Sequence, residues 1–397
     1  MSRRPHIALL IEASRGYGRG LLRGIAEYVS AHGPWSIYVV RDRVHDTPPG
    51  WLKTWRGDAI MARVQSPRLI QAICGRGIPA VDLRGIDLQK KMPAILTDDA
   101  AGAQLAAEHF LEKGFRSFAY CGFPGTRYSD DRSRFFQQFV RQAGYPCSVY
   151  HGGGRLRGGD IAKHEKHGFT HEQNLARWLC KLPKPVGLMA SNDARGQQVL
   201  HACRDVGIAV PDEVAVVGVD NDDVVCDLCD PPLSSVAPNT RKIGYEAAAL
   251  VERMMAGAPP PVEPFYISPV GIVTRRSSDV LAIEDPDLAA AVRFIRDHAC
   301  EGITVQDVLN KVPMSWSSLE RSFCRILGRT PKAEISRLQI ERVKHLLGET
   351  DLPLKDIAAK AGFMHTEYLS VVFKKKTGQT PGQFRSELKQ NSKIARP

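Results

Sequence analysis

From His6 to about Val280 the chain alternates short apolar runs with longer amphipathic stretches. The runs predict strands at His6–Ala13, Ser36–Val40, Ala59–Val64, Ala80–Leu83, Ala94–Thr97, Ser117–Gly122, Val149–His151, Val186–Ala190 and Val214–Val219. The stretches predict helices at Gly20–Ala31, Pro67–Arg76, Ala101–Lys113, Arg132–Ala143, His171–Lys181, Arg195–Val206 and Thr240–Ala256. Short strands alternating with helices of this length form parallel sheets covered on both faces. Nine strands over about 275 residues exceed what one small doubly wound sheet holds, so an α/β body of two lobes flanking a cleft is expected.

Beyond residue 280 the period becomes that of helices, and the pattern repeats itself. Leu319, Phe323, Gly328, Thr330 and Pro331 recur as Leu369, Phe373, Gly378, Thr380 and Pro381, each displaced by 50 residues. Val305, Val308, Leu309 and Val312 match Leu354, Ile357, Ala358 and Ala361 at a displacement of 49, and the slip falls at a turn, Pro313-Met314 against Gly362-Phe363-Met364. One supersecondary unit is used twice. Each copy predicts a short helix, a tight turn and a second helix. Ser315 caps Trp316–Leu327 in the first copy; in the second, Gly362 ends one helix before His365 and Thr366 open the next. This is the helix-turn-helix pattern, whose second helix brings its N-terminal residues to base edges in the major groove. An ordinary antiparallel helix pair competes with that reading for one copy; two copies in register, each ended by Gly-x-Thr-Pro, disfavour it. Between them Pro331 opens a helix to about Leu347, whose 17 residues at ~1.5 Å each make a rod of about 25 Å. With the flanking helices, two reading heads fall about 34 Å apart, one turn of B-DNA.

Charge changes the picture in the same direction. Residues 303–397 carry 17 Lys and Arg against 9 Asp and Glu, so of a net charge of +11 only +3 is left for the other 302 residues. A basic segment confined to a quarter of the chain is the footprint of a polyanion binder. Over about 95 residues it resembles the AraC/XylS-type DNA-binding domain, through Ile357-Ala358, Ala361-Gly362-Phe363, Tyr368-Leu369, Phe373-Lys374, Gly378, Thr380-Pro381 and Phe384-Arg385. Pro313 departs from the pattern, where a small residue is usual. At the N-terminal positions of the reading helices stand Ser317, Ser318 and Arg321, then Thr366, Glu367 and Ser370. Arg321 suits a guanine and Glu367 a cytosine amino group. Trp316 and His365 suit phosphate or sugar, and Lys374 opens a basic last turn with Lys375 and Lys376.

Composition mostly excludes. Hydrophobic content of 43% with 24% charged residues, and no apolar run of 18, argues against secretion and membrane spanning. Nine irregularly spaced cysteines fit reduced thiols in a cytoplasm. His164, His167 and His171 with Glu165 have metal-ligand spacing, but Gly168 interrupts them and a solvated loop is expected. The glycines from Gly152 to Gly159 lack the Gly-Lys-Ser/Thr of a phosphate loop, and Cys226-x-x-Cys229 has no second pair. No catalytic constellation stands out. The chain is not read as an enzyme, and no cofactor or metal is assigned.

Sugar sites use carboxylates, amides and arginines that pair with vicinal hydroxyls, often with an aromatic ring against the sugar face. In α/β lobes such groups belong at the carboxyl ends of strands, where Ser14, Asp193 and Asp220 stand, with Asn192 beside Asp193 and Tyr17 beyond Ser14. Ser and Asn there are also ordinary helix caps.

Ser191-Asn192-Asp193-Ala194-Arg195-Gly196, the run Gly207–Val214, Val216–Asp220, Leu233-Ser234-Ser235-Val236 and Ile243–Ala248 together resemble the effector domain of LacI/GalR-type regulators, a periplasmic-binding-protein-like fold. Such regulators normally open with a helix-turn-helix of about sixty residues; here the first strand is expected by His6, so the C-terminal repeat is expected to take that reader's place. The resemblance implies that Arg132 reaches the cleft. A sensor of this kind ahead of an AraC-type reader is the arrangement of xylose operon regulators, a likeness extended by Ala119–Pro124 and Arg293–Cys300. It implies a cytoplasmic transcription regulator, activating more than repressing, with D-xylose as effector and double-stranded DNA, a second copy and RNA polymerase as partners. Another pentose or hexose as effector, a solute-binding transport component and a sugar-modifying enzyme are the alternatives. The expected domains are residues 1–280 as sensor, 281–302 as linker and connecting helix, and 303–397 as reader, with Asp279–Asp287 as the joint and Leu288–Cys300 as transmitting helix.

Overall fold

In a computed structural model, residues 3–40, 48–64, 66–85, 92–152, 172–280, 283, 285–350 and 352–386 are described. His164, Glu165, His167, His171 and most of the glycine-rich stretch lie outside them. The chain divides into two compact units, Met1–Ala282 and Ile283–Pro397.

The first unit contains two parallel sheets. In the first lobe β1 (His6–Leu10), β2 (Ser36–Val39), β3 (Ala59–Ala62) and β4 (Ala80–Asp82) lie in the order β2-β1-β3-β4. A bridge from Asp82 to Ala94 continues this sheet into β5 (Ile95–Thr97) and its parallel neighbour β11 (Phe265–Ile267). The second lobe contains β6 (Ser117–Cys121), β7 (Cys147–Val149), β8 (Val186–Ala190), β9 (Val214–Val219), β10 (Ser234–Ala237) and β12 (Gly271–Val273), in the order β12-β10-β9-β8-β6-β7 with only β12 antiparallel. The expected strand Val149–His151 is thus displaced to Cys147–Val149, and β10, β11 and β12 were not expected. Those three are short, at three or four residues each, and two of them are edge strands with exposed residues. They also carry the chain back and forth between lobes, so the lobes are joined by three crossings, after β5, after β10 and between β11 and β12.

Helices cover both faces of both sheets. In the first lobe α1 (Gly16–His32) packs on α8 (Thr240–Met255) over one face, with Leu21 and Ile25 against Ile243, Ala247 and Val251. Their axes come close because a methyl at Gly24 would overlap the Arg241 carbonyl and one at Gly244 the Leu21 carbonyl. The other face is covered by α2 (Pro67–Cys74), started by Ser66, whose hydroxyl accepts from Leu69 N at 3.3 Å, and by Pro67. In the second lobe α3 (Asp99–Glu112) and α4 (Arg127–Gln142) lie on one face, and α5 (Glu172–Cys180) and α6 (Asp193–Asp205) on the other. The helix expected to open at Arg132 opens at Arg127, because the turn ahead of it is closed by Asp130, which accepts from Gly125 N, and by Thr126 bonding to the Phe123 carbonyl. Arg132 therefore sits in the second turn. Cys226, on α7 (Asp223–Leu228), and Cys229 pack into the core of the second lobe.

The second unit is helical: α9 (Pro286–His298), α10 (Val305–Leu309), α11 (Trp316–Leu327), α12 (Pro331–Glu349), α13 (Leu354–Lys360) and α14 (Thr366–Thr377). Asp285-Pro286, read as part of a joint, starts α9: the Asp285 carboxylate accepts from Asp287 N and Leu288 N at 3.0 and 3.1 Å, with Pro286 in the first turn. The sequence repeat is a structural one. Leu319 and Phe323, like Leu369 and Phe373, have no exposure, and Gly328 and Gly378 end their helices at φ of 67° and 80°. Two residues further on, Thr330 and Thr380 accept from Ala333 N and Gln383 N and start the next helical turn. The copies differ at the turn. Gly362 takes φ 76°, and a methyl there would lie 2.7 Å from Gly302 N. Pro313 cannot adopt that conformation, and the first turn is closed by Met314 N on the Val312 carbonyl at 2.8 Å, with no residue at positive φ. Gln339, midway along α12, donates to the carbonyls of Ala299 and Gly362, tying the second turn to the end of α9.

Candidate functional site

In each lobe the strand order reverses beside the first strand, and the carboxyl ends of the strands there open a crevice. The two crevices face each other. Asp222, after β9, accepts from Gly16 N at 2.6 Å and from Arg19 at 3.1 Å, both after β1. Arg127, opening α4, donates to the Gly85 carbonyl after β4.

Arg132 is the hub of the second lobe's wall. It is 5% exposed, its Nε donates to Asp99 Oδ1 at 2.7 Å and an Nη to the Ser191 carbonyl at 2.5 Å, and its guanidinium lies 5.1 Å from the Tyr128 ring. Burial by itself would lower its proton affinity; the charges of Asp99 and Asp220 raise it instead. Burial pushes the Asp99 carboxyl up, with Arg132 opposing. Tyr17 faces this group from the first lobe, its hydroxyl 2.9 Å from Thr97 Oγ1 and its ring 4.5 Å beneath the Arg63 guanidinium.

Asp220 and Asn221 are the two non-glycine residues at positive φ, 110° and 46°, among the described residues. Such backbone is costly and persists where the surroundings over-determine it. Here the turn is clamped from behind: Asp193 accepts from Asp222 N at 2.8 Å and from the Ser235 hydroxyl at 2.6 Å, and Asn221 N donates to Ser235 Oγ at 3.0 Å. Burial, then the nearby charge of Asp220, pushes the Asp193 carboxyl up to about 8. Asp193 thus holds the Asp220–Asp222 turn. Asn192 does two jobs, capping α6 by accepting from Arg195 N at 2.9 Å and donating to the Tyr128 hydroxyl at 3.4 Å. Ser14 is exposed at the mouth and bonds to Glu12 at 2.5 Å.

In the second unit Trp316, Ser317, Ser318 and Arg321 are exposed on α11, and His365, Glu367 and Lys374 on or just before α14. The hydroxyl of Ser370 is turned back to the Thr366 carbonyl at 2.9 Å, and that of Thr366 to Glu367 at 3.2 Å, which, after a backbone bond, helps to hold the Glu367 carboxylate below its usual range. Both second helices bury one stripe and leave their N-terminal halves to solvent, as a reading helix requires.

Residues 6–97 match the model of the XylR N-terminal domain, 107–278 that of a periplasmic binding protein-like domain, and 308–387 that of a helix-turn-helix domain. The chain is 33% identical over 396 residues to the xylose operon regulatory protein of Escherichia coli K12, covering 97% of each. The chain belongs to the xylose operon regulatory protein family. It is 32% identical over 387 residues to the same-named protein of Haemophilus influenzae, covering 96% of this chain and 97% of that one. A solved structure of the xylose-binding transcription activator XylR superposes with a TM-score of 0.78 at 32% identity, over 97% of this chain and 98% of that one.

Membership in the xylose operon regulatory protein family makes the chain a DNA-binding transcription regulator and not an enzyme. Among the described residues no helix is long and apolar enough to cross a membrane. Within this family member the cleft holds residues that reading the sequence passed over: Asp99, Tyr128 and Asp222 in the second lobe, Arg63 and Arg84 in the first. The rule that selected Asp220, a polar residue just past a strand, also selects Arg63 and Arg84. On the reader, Met364, just before α14, and Tyr368 and Val371, on it, are 90%, 59% and 65% exposed.

Proposed function

We propose that the cleft binds a small sugar, D-xylose being the first to test given the names of the relatives, and that sugar binding governs how two reading helices are placed on duplex DNA. The observation that carries this is the grouping of Arg132, Asp99 and Asp220 opposite Tyr17 at the carboxyl ends of the strands. A guanidinium held between two carboxylates offers a fork of donors beside acceptors, which suits vicinal hydroxyls, and Tyr17 offers a ring. Asp220 accepts from a hydroxyl, Arg132 and Asn192 donate, and Asp193 positions Asp220. Asp222 bridging to Gly16 and Arg19 closes the lobes over the ligand. A sugar that touches both walls binds the closed arrangement better than the open one, and only that difference can drive a switch.

On the DNA side, Arg321 contacts guanine, Glu367 accepts from cytosine, and Ser317, Ser318, Thr366 and Ser370 complete the polar edge. Trp316, His365 and Lys374 hold the backbone, and Val371 or Met364 meets a thymine methyl. The protein acts in the cytoplasm as a homodimer and activates through RNA polymerase. Residues 1–280 sense, 303–397 read, and the segment between them transmits. Titration calorimetry of the full chain with a panel of pentoses and hexoses, alongside DNA-binding assays with and without each sugar, tests this. Heat from at least one sugar, with a change in DNA affinity or spacing preference, is expected; silence from every sugar overturns the sensor reading.

A further inference from the structure

The segment by which the chain leaves the sensor is fastened to the cleft. It follows β12, running from Arg275 to Val280, and Ile283 then opens the second unit. Its course is fixed against the second lobe by short bonds. Arg275 N donates to Ser234 Oγ at 2.7 Å, and the same hydroxyl donates to the Arg275 carbonyl at 2.8 Å. Ser277 N donates to the Pro232 carbonyl at 2.9 Å, and the Ser277 carbonyl accepts from Val216 N at 2.7 Å. The Ser277 hydroxyl joins the Val216 carbonyl to Ser234 N, at 2.6 and 2.8 Å. Further on, Ser278 Oγ lies 2.8 Å from His109 Nε2 and Asp279 lies 3.6 Å from Lys113, at the far end of the helix whose first residue, Asp99, pairs with Arg132.

None of these bonds uses the Arg275 guanidinium. Its Nε donates to Asp227 at 2.7 Å, and one Nη donates to the Leu233 carbonyl at 3.1 Å and to the Asn221 side-chain oxygen at 2.9 Å. Asp227 retains 66% exposure against 15% for Arg275, so the ion pair is half in water while the bond to Asn221 is shielded. Asn221 stands between Asp220, the proposed sugar contact, and Asp222, which holds Gly16 and Arg19 of the other lobe. One side chain therefore joins the turn that meets the ligand and the first lobe to the segment that continues towards the reader.

Sugar and lobe closure act on three consecutive residues. The ligand engages Asp220, the latch engages Asp222, and Asn221 between them is held at a φ of 46°, where few side chains are stable. A turn that relaxes when the latch opens withdraws the Asn221 oxygen from Arg275. Only a bond whose strength differs between the two arrangements can couple them. We infer that Arg275 is the positioning residue through which occupancy of the cleft is passed to the exit segment, and that its bond to Asn221 is the link. This rests on the cleft being the sugar site and adds the route by which its occupancy leaves the lobe.

The test uses the full chain, D-xylose, and a duplex that the full chain selects from a random pool in the presence of D-xylose. Calorimetry gives the D-xylose affinity of free and DNA-bound protein, and gel-shift titration gives the DNA affinity with and without the sugar. Linkage makes these two ratios one coupling factor, about 5- to 150-fold in the parent. Arg275→Gln brings that factor to about twofold or less. The free variant still binds D-xylose within about threefold of the parent, the worth of one neutral hydrogen bond, because Asp193 and Ser235 continue to hold the turn. Asn221→Gly, which accepts the φ of 46°, has the same effect and decides the matter should Arg275→Gln not fold. The double variant loses no more coupling than either single one, since both remove the same bond. A merely structural arginine would lower the melting temperature and leave the coupling factor in place. A factor unmoved in the folded variants, losses that multiply in the double variant, or a D-xylose affinity that falls as far as the coupling does overturns the inference and leaves the sensor reading standing. If the parent binds no D-xylose, or its DNA affinity does not respond to the sugar, both fall.

Discussion

Replacing Arg132 by Leu separates what holds the cleft together from what binds in it. The side chain is 5% exposed and answers Asp99, whose side chain retains 21% exposure. Removing one partner of a buried pair costs about 3–5 kcal/mol because the other charge is left uncompensated. The partial exposure of Asp99 and its freedom to take a proton discount this to about 2–3 kcal/mol at neutral pH. The loss depends on pH with a definite sign. Burial already raises the Asp99 carboxyl, and Arg132 is what opposes that rise. Without Arg132 the folded-state value lies further above the unfolded one, so the folded state binds more protons and stability falls as pH rises through that interval. The deficit of Arg132→Leu against the parent, read as the shift in the sensor's melting midpoint without sugar, is therefore smaller at pH 5 than at pH 7.5. The double variant Arg132→Leu/Asp99→Asn recovers most of the stability, since no charge is stranded, yet binds no sugar. A deficit independent of pH, or a double variant that binds sugar like the parent, would refute the reasoning.

Other changes probe the latch and the reader. Asp222→Ala removes the bonds to Gly16 N and Arg19, so sugar affinity falls about tenfold in calorimetry, roughly the worth of one charged hydrogen bond, while DNA affinity without sugar is unchanged. Arg321→Ala weakens operator binding by about 1–3 kcal/mol in gel-shift titrations and relaxes preference at one base position. Lys374→Ala weakens all sequences alike and reduces the salt slope by about one. Gly362→Ala forces a methyl onto Gly302 N and a side chain into positive φ, costing the reader about 1–3 kcal/mol in chemical denaturation; Gly328→Ala, at positive φ but in open space, costs about 1 kcal/mol.

The reader was legible almost residue by residue because its determinants are local. A buried Leu and Phe four apart, a glycine at the helix end and a Thr-Pro start all act within one turn of where they stand, so their repetition in sequence is their repetition in space. The turn at Pro313 resisted, since the pattern supplies a glycine in one copy and only the backbone bond from Met314 to Val312 shows how the other copy manages without it. In the sensor the long buried strands β1, β3, β6, β8 and β9 announced themselves by apolar runs. The strands β10, β11 and β12 did not, for they are short and two of them lie at sheet edges.

Those same unannounced strands are why the cleft was only half legible. They return the chain between lobes, and the returns set Asp222 against Gly16 across 206 positions of sequence, where no periodicity reports a neighbour. Asp220 was picked out because it stands just past the end of β9. That Asp193 lies behind it as a brace could not, since this comes from its bonds to Asp222 N and the Ser235 hydroxyl across the fold. The arginines of the first lobe show the same limit from the other side. Arg63 and Arg84 stand at strand ends like any cleft residue, and only the fold shows Arg63 lying over the Tyr17 ring. The same holds for Asp82, two residues from Arg84: its carboxylate is bound to the backbone of its own loop, a bond that no pattern of residues announces.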